Sequence, residues 1–192
     1  MSATLYLVRH AAPAPDPRRS PAEWRLSVDG RRAAEQLAAD WPGGVLAALY
    51  SSPEPKAIQT AEPLAKRFGI DVQVRECLHE VQRPTGWLED YRRRVADYLS
   101  GGTLNGWEPL PAAQQRIVAC VRAVAAEAGE GPVAVVSHGM ALTLLLAALR
   151  GGPPSFTEWR FMLMPSVAEI DPSAWQLVRP FEIPTGPAHP RG

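Results

Sequence analysis

The sequence predicts an α/β fold: a three-layer sandwich with a mostly parallel central sheet, helices on both faces and a small cap insertion. Three observations carry this. Short apolar runs alternate with helical stripes along the chain, the pattern of βα units assembled into one parallel sheet. Leu5 to Val8 and Val133 to Val136 are apolar without a polar break, as strands covered on both faces are. The length of 192 residues suits one sizeable core with a small insertion.

Taken in order, Thr4 to Ala11 is a run of strand formers that stops at Arg9-His10-Ala11. The Pro-rich stretch up to Pro21 is irregular, and a loop directly after a strand end commonly carries function. Ser27 is an N-cap for a helix with the stripe Ala33, Ala34, Leu37, Ala38 and Trp41, stopped by Pro42-Gly43-Gly44. Val45 to Tyr50 is a second strand, ending in Ser51-Ser52-Pro53. The next helix turns Ala57, Ile58, Ala61, Ala65 and Phe68 inward. A kink or restart is expected at Pro63, which lacks the amide hydrogen of a helical turn.

Asp71 to Arg75 alternates as a strand and leads into Cys77-Leu78-His79-Glu80. Residues 81–109 then loosen into an insertion that caps the sheet's edge. Trp87, Tyr91, Val95, Tyr98 and Leu99 mark one amphipathic helix in it, and Arg92, Arg93 and Arg94 are its solvated face. After Pro111, Ile117, Val121, Val124 and Ala128 give a long helical stripe. Val133 to Ser137 is a buried strand that ends in His138-Gly139, and the apolar Met140 to Leu149 is a helix buried all round. Trp159 to Leu163, Val167 to Ile170 and Trp175 to Arg179 read as short strands at a sheet edge. The domain spans residues 1–183, and 184–192 read as a disordered tail.

Basic and acidic residues number 20 each, so net charge implies no polyanion partner and no nucleic acid is expected. Cys77 and Cys120 are isolated in apolar patterns, so neither a disulfide nor a zinc site is expected. No basic segment followed by an apolar core opens the chain. The longest apolar run, Met140 to Leu149, is too short to span a bilayer. A cytoplasmic protein without a membrane partner is expected, and its oligomeric state is not legible.

Three strand ends share one chemistry. The first is followed by Arg9-His10, the second by Ser51-Ser52-Pro53 with Lys56 close behind, the third by His138-Gly139. In a parallel sheet all three open on one edge, where α/β folds place their ligands. Two imidazoles, a guanidinium and an ammonium gathered there, with helix N-termini behind them, suit a phosphoryl group. A neutral imidazole is an in-line nucleophile, and nearby cations keep it neutral. Glu80 is the best placed carboxyl for protonating a leaving oxygen.

Leu7-Val8-Arg9-His10-Ala11, Tyr50-Ser51-Ser52-Pro53 through Gln59-Thr60-Ala61, Leu78-His79-Glu80 and Ser137-His138-Gly139 together resemble the histidine phosphatase superfamily, in its phosphoglycerate-mutase-like branch. The resemblance runs from about Thr4 to Arg179, with the motifs in the family's order and spacing. It implies that His10 is phosphorylated during turnover and that Glu80 donates a proton to the leaving group. It also implies that Arg9, Lys56, His138 and Gly139 hold the phosphoryl oxygens, without a cofactor. Gly106, Glu108 and Arg116 resemble the family's segment ahead of the long helix.

Two positions depart from the pattern. Lys56 stands where the family usually has Arg, which keeps the charge but loses the bidentate fork. Lys56 then either reaches the phosphoryl group as a point charge or turns outward. Ala11-Ala12-Pro13 replaces a Gly-Glu-Ser stretch, and Asp16 falls near the family's Asn, where a carboxylate repels phosphate unless it points away.

The expected activity is metal-independent hydrolysis of a small phosphorylated metabolite through phosphohistidine. A phosphoglycerate mutase is the first alternative, which the short cap disfavours. A catalytically idle phosphate-binding or interaction module is the second, kept open by Lys56 and Asp16. Blander roles are also expected: His79 as a surface neighbour of Glu80, His189 in the tail, Trp87 and Tyr91 in the cap core. A metal held by His10, His138, Glu80 and Asp16 would be opposed by Arg9 and Lys56.

Overall fold

A computed structural model describes residues 4–86, 88–129 and 131–182. The strands β1 (Leu5–Arg9), β2 (Ala48–Ser51), β3 (Val72–Val74), β4 (Val133–Ser137), β5 (Ser166–Asp171) and β6 (Gln176–Arg179) form one six-stranded sheet in the order β3-β2-β4-β1-β5-β6. The pairs β3–β2, β2–β4 and β4–β1 are parallel, while β5 and β6 join antiparallel. The helices are α1 (Val28–Ala39), α2 (Pro55–Phe68), α3 (Tyr91–Leu99), α4 (Leu110–Glu127), α5 (Gly139–Arg150) and α6 (Phe156–Phe161), with short 3-10 turns at Pro21–Glu23 and Glu76–Leu78. Among the described residues no helix is long and apolar enough to cross a membrane.

The pleat sorts the core into two layers, because successive side chains of a strand point to opposite faces. Leu5, Leu7, Val133 and Val135 pack with α4 and α5 through Ile117, Val121, Leu142 and Leu145. Tyr6, Val8, Ala134 and Val136 pack on the other face with Ala38 of α1 and Ala57, Ala61 and Leu64 of α2. Helices therefore cover both faces of β1 and β4, which explains why these two strands carry no charged or hydroxyl-bearing aliphatic residue before their last position, whereas the edge strand β3 carries Gln73. Within 81–109, Val81, Val95, Tyr98, Leu99 and Trp107 join the core on the α4–α5 side.

Several local devices match the sequence. Ser27 accepts a hydrogen bond from the Gly30 amide and starts α1. Its helix is seated closely, because a Cβ on Gly30 would lie 2.0 Å from the Ala12 carbonyl oxygen. Residues Gly139 to Ala147 of α5 are all buried, as the unbroken apolar run requires. α2 continues through Pro63 without restarting after Glu62.

Two expectations are corrected. Trp159 to Leu163 is not a strand, since α6 occupies Phe156–Phe161. Ser155 caps that helix through the Glu158 amide, Phe156 stacks on Trp159 at a centroid distance of 5.5 Å, and Glu158 pairs with Arg150. These cap and i,i+3 interactions outweigh the strand preference of Trp and Phe. Cys77 and Cys120 are not free, but form a disulfide. The turn after β3 packs on α4 and brings the two Cα atoms to 5.8 Å across 43 residues of chain, a proximity that sequence spacing does not encode. Trp87 and residues 184–192, including His189, lie outside the described residues.

Candidate active site

The parallel register assembles the site. Arg9 lies opposite Ser137 and Ser51 opposite Val136. One step beyond, the His10 amide donates to the Ser137 carbonyl and the Ser52 amide to the Val136 carbonyl, each at 3.0 Å. His10, Ser52 and His138 therefore emerge side by side, with the His10 and His138 ring centroids 5.0 Å apart. A cavity of about 740 Å³ opens there, and Arg9, His10, Glu54, Lys56 and Glu80 line it. The Pro-rich loop supplies Pro13, Pro21 and Trp24 to its wall, and residues 81–109 supply Arg83 and Tyr91.

His10 is buried, with Nδ1 2.7 Å from the Ala11 carbonyl oxygen. A carbonyl only accepts, so Nδ1 carries the hydrogen and Nε2 keeps its lone pair. The Ala11 amide donates to Thr60 Oγ1, which donates to the Lys56 carbonyl. α2 thereby fixes the turn that carries His10. Burial first, then His138 and Lys56, hold the His10 imidazole well below its ordinary value. It stands neutral, as a nucleophile must.

Arg9 donates through Nη1 to the Trp159 and Met162 carbonyls, and its Nε has no partner among the described residues. Gly139 lets it approach, since a Cβ there would lie 3.0 Å from Arg9 Nη2. Lys56 is buried in the cavity wall and has not turned outward. Its Nζ donates to the Pro21 carbonyl at 2.7 Å and to Glu54 Oε2. Asp16 points away, accepting two hydrogen bonds from the Arg18 guanidinium at 2.9 Å. Those bonds hold its carboxyl down at about 2.

The Glu80 carboxylate accepts from the Val81, Met140 and Ala141 amides. It thus takes the N-terminal donors of α5 that the sequence reading left for a phosphoryl group. The Arg116 guanidinium holds the approach to Glu80, donating to the Cys77 and His79 carbonyls and to both oxygens of Glu108. His79 lines the cavity rather than the outer surface. Tyr91 also lines it, with the Arg83 guanidinium 4.5 Å above its ring, so it is more than cap core.

His138 is fully buried and does not line the cavity. Its Nε2 lies 2.7 Å from Ser52 Oγ and 3.3 Å from Glu54 Oε1, while Nδ1 has no partner among the described residues. Burial first, then Lys56 and His79, hold its imidazole well below the ordinary value. Sequence reasoning missed Ser52 and Glu54 as members of the site. The available signal for Glu54 was an acid just ahead of Pro55 at a helix start, two residues before the lysine.

Both buried imidazoles shape stability against pH. A histidine whose folded value is depressed leaves the unfolded state holding more protons, so stability falls as pH drops below the unfolded value of about 6.5. Each contributes a slope approaching about 1.4 kcal/mol per pH unit below that point. Asp16 and Glu108, both depressed carboxyls, act only at lower pH, below their ordinary values of 3.8 and 4.5. Denaturant unfolding between pH 7 and pH 5 is expected to show this loss, and His138→Asn to reduce the slope. A pH-independent midpoint across that window counts against neutral imidazoles.

The sequence matches the family described as the histidine phosphatase superfamily (branch 1) over residues 5–181. No curated protein matches the chain. Among solved structures, YhfR of Bacillus stearothermophilus is similar at 24% identity, over 94% of this chain and 96% of its own, with a TM-score of 0.77. A mycobacterial glucosyl-3-phosphoglycerate phosphatase is similar at 23% identity, over 88% and 90% of the two chains, with a TM-score of 0.69. A phosphoserine phosphatase variant of Entamoeba histolytica, bound to phosphoserine, is similar at 18% identity, over 87% and 89%, with a TM-score of 0.67. At these identities the three structures speak for the fold.

Proposed function

Because this chain belongs to the histidine phosphatase superfamily (branch 1), we propose that it hydrolyses small phosphomonoesters through a phosphohistidine formed on His10. The observation that carries this is the tautomer of His10. Its Nδ1–H is held by the Ala11 carbonyl at 2.7 Å, so a neutral Nε2 lone pair is available to attack. That nitrogen bonds to phosphorus as the bond to the leaving oxygen breaks, and Glu80 gives that oxygen its proton. Water then attacks the phosphohistidine, Glu80 takes a proton from it, and phosphate leaves. Arg9 and Lys56 supply the positive charge that the equatorial oxygens need through both steps.

Hydrolysis is favoured over phosphoryl transfer between metabolites by the small cap, whose helix α3 has nine residues and gives little cover against water. Two similar structures, those of a glucosyl-3-phosphoglycerate phosphatase and a phosphoserine phosphatase, support the same reaction class. The two departures that favoured an idle module now argue less for it, since Asp16 faces Arg18 and Lys56 lies in the cavity wall. Purified protein is expected to release phosphate from p-nitrophenyl phosphate at mildly acidic pH, and from at least one member of a panel of sugar, nucleotide and amino-acid phosphates. No release from any of them overturns the proposal.

A further inference from the structure

Glu54 brings a negative charge into the pocket where a dianionic group has to bind. It is 8% exposed and lines the cavity. Its Oε2 accepts from Lys56 Nζ, and its Oε1 accepts from the Glu80 amide at 2.9 Å and lies 3.3 Å from His138 Nε2. The carboxylate thus contacts Lys56, which the reaction proposed above assigns to phosphoryl oxygens, and His138 behind it. The charge of Lys56 is already balanced by Glu54, so an entering dianion meets one of the two cations in its wall as a neutral pair. Two anions that share one ammonium in a buried site repel strongly. Swinging Glu54 aside would break its contacts with Lys56, His138 and the Glu80 amide together. Adding one proton removes the repulsion and keeps the side chain in place.

We propose that Glu54 is a proton-linked member of the phosphoryl site: it takes up one proton from solvent when a tetrahedral dianion binds, and the resulting carboxyl donates a hydrogen bond to that anion. No covalent bond changes; a carboxylate and a proton become a carboxyl, and the reverse follows when the anion leaves. The site then binds its anion most tightly where protons are available. A neutral carboxyl serving as a donor in a buried anion site has precedent in enzyme chemistry. The other titratable or charged groups around the cavity are Arg9 and His10 at the end of β1, Lys56 on α2, and Glu76, His79 and Glu80 after β3. Arg83 and Tyr91 face it from residues 81–109. His138 lies behind Glu54 within reach of the charges of Lys56, Arg9 and Arg116.

The inference rests on the cavity being the phosphoryl site, and its test reads binding rather than turnover. Sulfate is the probe, because it stays a dianion across the working range and does not titrate itself. By calorimetry at pH 5.5, 6.5 and 7.5, its dissociation constant is expected to rise up to about tenfold per pH unit, the slope of one linked proton. Heats in two buffers of different ionisation enthalpy should count about one proton taken up. Glu54→Gln keeps the size and a neutral donor, so it should bind sulfate at pH 7.5 about as tightly as the parent does at pH 5.5, with a flat profile. The same slope in Glu54→Gln assigns the proton to another group, Glu80 or an imidazole, and overturns the proposal. So does weaker binding by that variant, absence of proton uptake in the parent, or absence of sulfate binding at every pH. The buffer-pair measurement needs only the parent protein and decides the matter if Glu54→Gln does not fold. A parent that takes up the proton but turns over no phosphomonoester fails the phosphatase reading alone.

Discussion

Replacing His10 by alanine is expected to lower turnover of every phosphomonoester substrate by at least about 10⁴-fold, the scale seen when a covalent nucleophile is removed. The expectation follows from the geometry of a single ring. Its Nδ1 is committed to the Ala11 carbonyl, its burial keeps it neutral, and its Nε2 is the nitrogen left to attack. Quenching the parent protein during turnover of a labelled substrate should trap label that is lost in acid and kept in alkali, the stability of a phosphorus–nitrogen bond. His10→Ala should trap none. Label that survives acid, or that persists in the variant, would place the nucleophile elsewhere. The substitution also removes one of the two neutral buried imidazoles, so its unfolding midpoint should depend less on pH below about 6.5. That control shows that the variant is folded and that the lost activity is chemical.

Much of the fold was legible because both layers of the core write themselves into the strands. β1 and β4 are apolar at consecutive positions, and each position finds a helix on its own side of the sheet. The polar residues that end those strands were legible as a site for the same reason, since nothing in a buried parallel strand calls for Arg, Ser or His. What the sequence hid was contact between distant segments. Cys77 and Cys120 pair only because one turn packs on one helix. Glu54 acquires its contacts from the Lys56 ammonium and from the Glu80 backbone, the second of which a linear motif does not describe. The resemblance implied that His138 holds phosphoryl oxygens, and the contacts of its Nε2 with Ser52 and Glu54 were not legible in the sequence. In α6 the local signal was present but misread. Trp159 and Phe161 favour strands, while Ser155 with Glu158 three residues later is a helix start.

Glu80→Gln is expected to separate substrates by their leaving groups. An alkyl phosphate releases a strongly basic alkoxide unless a proton arrives with bond breaking, whereas p-nitrophenolate leaves without one. Loss of a general acid typically costs about 10²–10⁴-fold, and that loss should fall on alkyl phosphates while p-nitrophenyl phosphate is nearly spared. The side chain is well fixed for this: the Val81, Met140 and Ala141 amides hold it, and Arg116 holds the backbone just before it through the Cys77 and His79 carbonyls. Those same contacts make a competing structural account concrete. If Glu80 serves chiefly to cap α5, the amide of Gln, which accepts through one oxygen only, loosens the helix start and slows all substrates alike. An equal loss for alkyl and p-nitrophenyl phosphates, accompanied by a lower melting temperature, would establish the capping role. A loss confined to the poor leaving groups, at unchanged melting temperature, would establish Glu80 as the acid.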